Sequence, residues 1–417
     1  MNKIETIVYN IVRKNPAVKQ AVRNIYQGIF DILPKKRDFS INQIVGKKGY
    51  FFGFHDVSPF SYDEKKLLGN KVNFDLRMPK KGEELPVGYF DFNDGEIGDF
   101  HQFGVSKAWN YHKGCRLQWL DETRAIYNTT IDNQLCAIIV DTDTKEETKL
   151  SWAIDAVHGT MATSFSYERL ERCMPGYGYP YSDGGEINEA APDSTGLYLI
   201  DIDTNTRSLL LSIKEIATQV TGEIEKQYLH FVTHSEFSRD GRYISFLYRR
   251  IPKDGDYMKR RSVMCVYDLV KKELIVLPSQ ESGSHYVWNN KNQIIASCIL
   301  DGNSCHALFD MNDLEKVSKI DETLLNSDGH QSFVTDNTFV TDTYPDKWRM
   351  AKLYLTDINS NSSKLIASLY SPKKFQTKDF KCHIACDLHP RVSPSGNYVC
   401  FDSPRSGQRG LYVMSLK

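Results

Sequence analysis

Beyond residue 40 the chain carries no long apolar stretch. It shows many short runs in which β-branched and aromatic residues alternate with polar ones and then stop at Asp, Asn or Gly. AIIVDTDT (137–144), LYLIDIDTNT (197–206), VYDLVKKE (266–273) and LYLTDINSN (353–361) are examples. A period of two predicts strands with opposite faces, and the closing Asp and Asn predict turns. These runs belong to a larger repeat. VSPFSYDEKKLLG (from Val57), RLQWLDETRAIYN (from Arg116), ATSFSYERLERCM (from Ala162), HSEFSRDGRYISFL (from His234), HYVWNNKNQIIAS (from His285), HQSFVTDNTFVTD (from His330) and HPRVSPSGNYVCFD (from His389) share one template. Each has a first slot, an apolar or aromatic residue about three positions on, a polar turn and a β-rich run. Strand-rich units at a period of roughly 45 to 60 residues predict a β-propeller. The expected fold is all-β, with seven four-stranded blades spanning 40–417. The first strand of each blade follows the slot, and the phrases quoted above end the last. RGLYVMSLK stops at the chain end, so a strand from 41–53 is expected to complete the final blade and remove its open edge.

Residues 1–39 follow a different period. Ile4, Ile7, Val8, Ile11 and Val12, then Val18, Val22, Ile25, Tyr26 and Ile29 beyond Pro16, recur at helical spacing. Eight Lys and Arg lie among them against three acids, Glu5, Asp31 and Asp38. This predicts a short basic amphipathic α-helical segment preceding the propeller, able to lie on a membrane surface or dock on protein.

Composition narrows the class. With 41% hydrophobic and 25% charged residues, net charge −1 and no membrane-length apolar run, the expected protein is soluble, without nucleic acid as partner. MNKIETIVYNIVRKN lacks a continuous apolar region and a small-residue cleavage site, and the nine Cys fall mostly within apparent strands. A cytoplasmic address with reduced thiols is expected, peripheral to the inner membrane if residues 1–39 contact lipid.

The candidate chemistry lies in the repeat register. Four of the eleven His occupy the first slot of their units, far above chance. Inner strands of a propeller line the central channel, so His234, His285, His330, His389 and Arg116 are expected to converge on one axial pocket. Two positions earlier stand Asp387, Asp328 and, in GFHDVSP, His55, and residues i and i−2 share a strand face. Neutral imidazoles with a carboxylate form a divalent-metal site, so His285, His330, His389 and Asp387 are the expected ligands. Mn2+ is the first expectation, with Zn2+ or Ca2+ as alternatives. In CMPGYGYPYSDGG, Tyr177, Tyr179 and Tyr181 are spaced by Gly and Pro and predict a loop over the channel mouth, with aromatic faces for sugar. Phosphate-binding glycine motifs and the G-x-S-x-G elbow are absent, so kinase, dehydrogenase and hydrolase-fold readings have no support.

The phrases THSEFSRDGRYISF, DGHQSF…TDTYPD and DLHPRVSPSGNYVCFDS…GLYVM resemble the seven-bladed propeller of the oligogalacturonate lyases. With KGCRLQWL and GFHDVSPFS they are more similar still to propeller proteins encoded with bacterial surface-polysaccharide genes. The resemblance covers about 45–417; HP-x-x-S-P-x-G by itself is shared with TolB-like propellers. It implies a metal held by three His and a Gln, two of those His lying two residues apart near the last blade. His389 matches one, the second falls on Asp387, the Gln position falls on Ile384, and His330 or His285 supplies the remaining imidazole.

The implied reaction is β-elimination at a uronic acid in an acidic glycan. Stabilising the enolate-like intermediate acidifies the C5 proton, a base removes it, and an acid assists the departing O4. Arg116 is the expected contact for the substrate carboxylate and, by the resemblance, a possible base. His234 is the alternative base and Tyr344 the expected acid, while His55 and the three Tyr line the substrate. Two further readings remain open: a non-catalytic glycan-binding or scaffolding propeller at the inner membrane, and a glycosyltransferase or hydrolase reusing the axial pocket.

Overall fold

The computed structural model describes residues 28, 30, 33, 35–74, 76–377 and 382–417. Most of the helical segment expected over 1–39 thus lies outside the described residues, as does any membrane contact it makes. Where that segment meets the propeller, Phe30 packs edge-on against Trp348 at 4.7 Å, and Lys35 lies over Tyr370 at 4.8 Å. No helix among the described residues is long and apolar enough to cross a membrane.

Seven antiparallel sheets follow one another in chain order and form a seven-bladed propeller. Blades 1 to 5 cover 50–106, 118–150, 157–212, 228–276 and 286–320, blade 6 covers 331–370 and blade 7 covers 391–415. The expected closing strand is Ile44–Lys48, which pairs with Gly410–Ser415 in the register Ile44↔Met414 to Lys48↔Gly410. Phe39–Ser40 adds a fifth strand to blade 6.

Each blade packs face to face on its neighbours, so middle strands are covered on both sides. Gln293–Leu300 is almost continuously buried, whereas the outermost strand Asp313–Ile320 is largely open to water. Between blades 4 and 5, Tyr243 stacks on Trp288 at 5.8 Å, and the indole nitrogen donates to Ser245 Oγ at 2.8 Å. The nine cysteines are free, and all but the half-buried Cys382 are buried.

The structure corrects two points of register. The Asp-ended phrases expected to close the last strand lie in third strands, among them Gln134–Asp141, Gly196–Asp201, Arg261–Asp268 and Met350–Asp357. Outer strands such as Glu147–Leu150 are too polar to stand out in a hydrophobic pattern. In blade 3 the template is displaced: Ala162 falls in the second strand, Met161–Ser164, and the residues after it form a helix, α1 (Tyr167–Cys173). Ser166 caps α1 by accepting from Arg169 N.

Candidate functional site

Phe54, in the GFHD phrase entering blade 1, marks the axis. Its ring lies 4.8 Å from His234, 5.9 Å from His285, 6.0 Å from His330 and 5.1 Å from His389. The structure thus brings the four slot histidines together. His285 and His330 are 4.0 Å apart by ring centroid, and His330 and His389 are 4.2 Å apart. Backbone geometry at the slot helps aim these side chains: Arg116, His234 and His389 have φ of 55°, 56° and 45°. Non-glycine residues seldom adopt this left-handed region unless the surrounding structure holds them there. In blade 4 it coincides with a break in ladder register between Thr233 and Glu236.

Each ring is fixed by a partner on Nδ1. His389 Nδ1 donates to the Gly53 carbonyl at 2.6 Å, and His55 Nδ1 donates to the Gln331 carbonyl at 2.9 Å. His330 Nδ1 faces both oxygens of Asp342 at 2.9 and 3.0 Å, and His285 Nδ1 faces Asp328 at 3.1 Å. A proton held on Nδ1 leaves Nε2 as the free lone pair, the state a metal or an incoming proton requires. Burial holds His55, His234 and His389 well below the usual imidazole range and so neutral. His330 differs: burial pulls its pKa down, but the Asp342 carboxylate outweighs that and the net shift is upward.

His112, which lies outside the repeat register, completes the centre. It comes from the loop between blades 1 and 2, where Asn110 Oδ1 accepts from His112 N at 3.1 Å and from Lys113 N at 2.8 Å. The loop reaches the GFHD phrase through two glycines packed back to back. A Cβ on Gly53 (φ 130°) would stand 2.9 Å from Gly114 N, and one on Gly114 (φ 59°) would stand 2.7 Å from the Phe52 carbonyl. His112, Asp387 and His389 then offer ligand atoms that all lie within 4.8 Å of one another. His112 Nε2 is buried without a hydrogen-bond partner. Burial pushes the Asp387 carboxyl up to about 6. Two imidazoles and a carboxylate, one of them with an orphaned nitrogen, fit a divalent cation of the Mn2+ or Zn2+ kind.

Above this cluster opens a cavity of about 310 Å³ whose lining includes His112, Tyr177, Tyr344, Arg349, His383 and Asp387. Tyr177 stacks on His112 at 4.6 Å with 7° between the rings. Tyr344 is 44% exposed, its ring 5.7 Å from His330.

Several expected site residues are placed differently. Arg116 does not reach this cavity: its guanidinium grips Asp56 bidentately at 2.9 and 2.9 Å, and its Nε donates to the Asp155 carbonyl at 2.7 Å. Two buried carboxylates outcompete any distant ligand for that fork. His55 lies behind the histidine cluster and lines the opposite mouth of the channel. His234 lies beneath Tyr177, ring centroids 6.0 Å apart, and outside the cavity lining. His285 and His330 flank the three-residue cluster without belonging to it. Of the tyrosines expected to cover the mouth, only Tyr177 faces the cavity. Tyr179 stacks on Tyr167 in the core at 4.4 Å, and the Tyr181 hydroxyl donates to the Lys107 carbonyl at 2.9 Å. The glycines that loosen this segment also let it fold inward.

The Tyr177 loop is held by Glu171 of α1, whose Oε2 accepts from Gly176 N at 2.9 Å and Gly178 N at 3.2 Å. Burial raises this carboxyl from 4.5 to about 7. A pKa raised by folding adds stability that is complete below 4.5 and lost as pH rises through about 7. The stability of the protein is therefore expected to decline across that window, and Glu171→Gln to flatten the decline. Urea midpoints at a series of pH values measure it; identical pH dependence in both proteins would contradict the assignment.

No family model matches the sequence, and no curated protein matches it. Solved structures do. An oligogalacturonate lyase from Vibrio parahaemolyticus aligns over 92% of this chain and 99% of its own, at 13% identity and a TM-score of 0.59. An oligogalacturonate lyase in complex with manganese aligns over the same shares at 13% identity and a TM-score of 0.62. The tricorn protease aligns over 89% of this chain but 34% of its own, at 10% identity and a TM-score of 0.51. At such identities the likeness is one of architecture: this chain has the seven-bladed propeller fold that the oligogalacturonate lyases have.

Proposed function

We propose that this protein is a divalent-metal-dependent lyase that cleaves uronate-containing oligosaccharides by β-elimination. The observation that carries the proposal is the convergence of His112, Asp387 and His389, of which His112 and Asp387 line the cavity. The shared fold with a manganese-bound oligogalacturonate lyase supports it and suggests an oligogalacturonate as substrate.

A divalent cation held by His112, Asp387 and His389 would supply Lewis acidity toward a uronate carboxylate. Arg349, a buried guanidinium in the cavity lining whose Nη1 and Nη2 donate to the neutral Gln376 Oε1 at 3.2 and 3.3 Å, is the residue placed to take the carboxylate role first expected of Arg116. His383 and Tyr344 line the same cavity and are suited to exchange protons with the sugar. His383 accepts the C5 proton as its carbon becomes acidic. Tyr344 donates to the departing O4, with His330 and Asp342 behind it to restore the proton. Tyr177 orders His112 and offers its edge to a pyranose.

The experiment is incubation of the Mn2+-loaded protein with oligogalacturonate, following the ultraviolet absorbance of the unsaturated product. Metal-dependent growth of that absorbance is expected; its absence in protein shown to carry the metal would overturn the lyase reading in favour of a binding propeller. Tyr344→Phe removes only a hydroxyl, and kcat is expected to fall by about 10²–10⁴ with little change in KM. An unchanged kcat would remove Tyr344 from the mechanism.

A further inference from the structure

The channel has a second mouth, built of different groups. The turns after the inner strands of blades 3 to 7 ring a cavity of about 570 Å³ there. It shares no lining residue with the metal cavity. Phe60, Trp119, Phe237 and Phe333 give it apolar walls. Its ionisable lining is Asp56, Glu236 and Asp336, with His55 and His158, against one cation, Arg239 at the exposed rim. Arg116 already neutralises Asp56.

Two buried acceptors of this lining are left over. Glu236 follows the break in ladder register after Thr233, and such bulges re-aim the side chains beside them. Its Oε1 accepts from Trp288 N at 3.4 Å, whereas Oε2, in a residue 8% exposed, has no hydrogen-bond partner. His55 donates from Nδ1 to the Gln331 carbonyl, and its Nε2, in a residue 2% exposed, has no partner either. A bare imidazole nitrogen and a carboxylate oxygen only accept, so what completes them is a donor. With three carboxyls against one rim guanidinium, a cationic donor is the match. Among the described residues, no three His, Cys, Asp or Glu converge at this mouth as His112, Asp387 and His389 do at the other. A metal ion therefore lacks a ligand set here. A cation that carries its own N–H donors on an apolar body does not need one.

We propose that the second mouth binds a small organic ammonium compound, with Glu236 as its counter-ion. The site goes beyond the proposed lyase activity and does not depend on it. Burial holds the Glu236 carboxyl well above the usual range; Arg239 and Arg116 oppose that shift and Asp56 adds to it. The carboxyl thus favours its protonated form until a cation arrives. Its O–H bond then breaks, the proton leaves to solvent, and the carboxylate pairs with the ammonium.

Calorimetric titration of the full chain with butylammonium, 1-butanol and butyrate, in two buffers of different protonation enthalpy, tests this. Butylammonium is expected to bind about tenfold or more tighter than 1-butanol, the worth of a charge-assisted hydrogen bond. Proton release should make its observed heat depend on the buffer. Glu236→Gln keeps the shape and the acceptor for Trp288 N, and is expected to abolish both the preference and the proton release while Mn2+ affinity stays unchanged. Should that variant fail to fold, Arg239→Ala decides: losing the competing rim charge is expected to raise butylammonium affinity up to a few-fold. Equal affinity for butylammonium and 1-butanol would overturn the site, as would a preference that survives Glu236→Gln, no gain in Arg239→Ala, or no binding of any of the three probes.

Discussion

Asp387→Asn is expected to cost at least about 100-fold in Mn2+ affinity, because losing a direct ligand should exceed the 10–100-fold that outer-sphere partners are worth. Asp387 is the one carboxylate among the three clustered groups, and the substitution keeps its shape while removing its charge. His112→Ala and His389→Ala are expected to act in the same direction. Product formation should fall in step with occupancy. The apo protein should not suffer: burial already pushes this carboxyl up to about 6, so an uncharged amide relieves a desolvated acid. Metal titration of the purified variants, with apo melting curves as control, separates the two effects. Wild-type Mn2+ affinity in Asp387→Asn would show that the axial histidines do not assemble a metal centre through this residue.

The largest effect on folding is expected at Asp155, a fully buried carboxylate that ties blades 2, 3 and 4 together. Its Oδ1 lies 2.5 Å from Lys113 Nζ and 3.1 Å from Arg116 Nε. Its Oδ2 accepts from Ser235 N at 2.8 Å and Ser235 Oγ at 2.9 Å. Burial tends to neutralise this acid, but Arg116 and Lys113 outweigh burial and hold its pKa below the usual carboxylate value. Asp155→Ala leaves Lys113 and Arg116 buried with Asp56 alone to offset them. Removing one partner of a buried ion pair costs about 3–5 kcal/mol, a large part of the 5–15 kcal/mol that ordinarily keeps a domain folded. Denaturant unfolding measures it. A loss under about 1 kcal/mol would mean that water or a shift of Lys113 compensates freely.

The fold was legible in the sequence because blade repetition imposes a period on strands, turns and the inner slot alike. The SRDG and SPSG turns show why: Gly241 and Gly396, at corresponding places in blades 4 and 7, both have φ of 73°. The closing strand was legible too, since a final blade one strand short leaves an open edge. Two of the three clustered groups, His389 and Asp387, follow the register and were legible by the same logic. The third was not. His112 reaches the axis on an irregular loop, and the only trace of that approach is the pair Gly53 and Gly114, meaningful once the two segments are seen to touch.

What the sequence alone determined is the set of groups that repetition places at equivalent points: seven sheets, a channel and four imidazoles around Phe54. Tertiary structure decided which of those groups are free to act. Arg116 and His330 occupy the slot in their own units, yet one meets two carboxylates and the other a single Asp342. Charge pairing between blades is a contact between distant segments, which no local pattern encodes. For that reason the pairing, and with it the division between structural and chemical residues, appears only when the ring is closed.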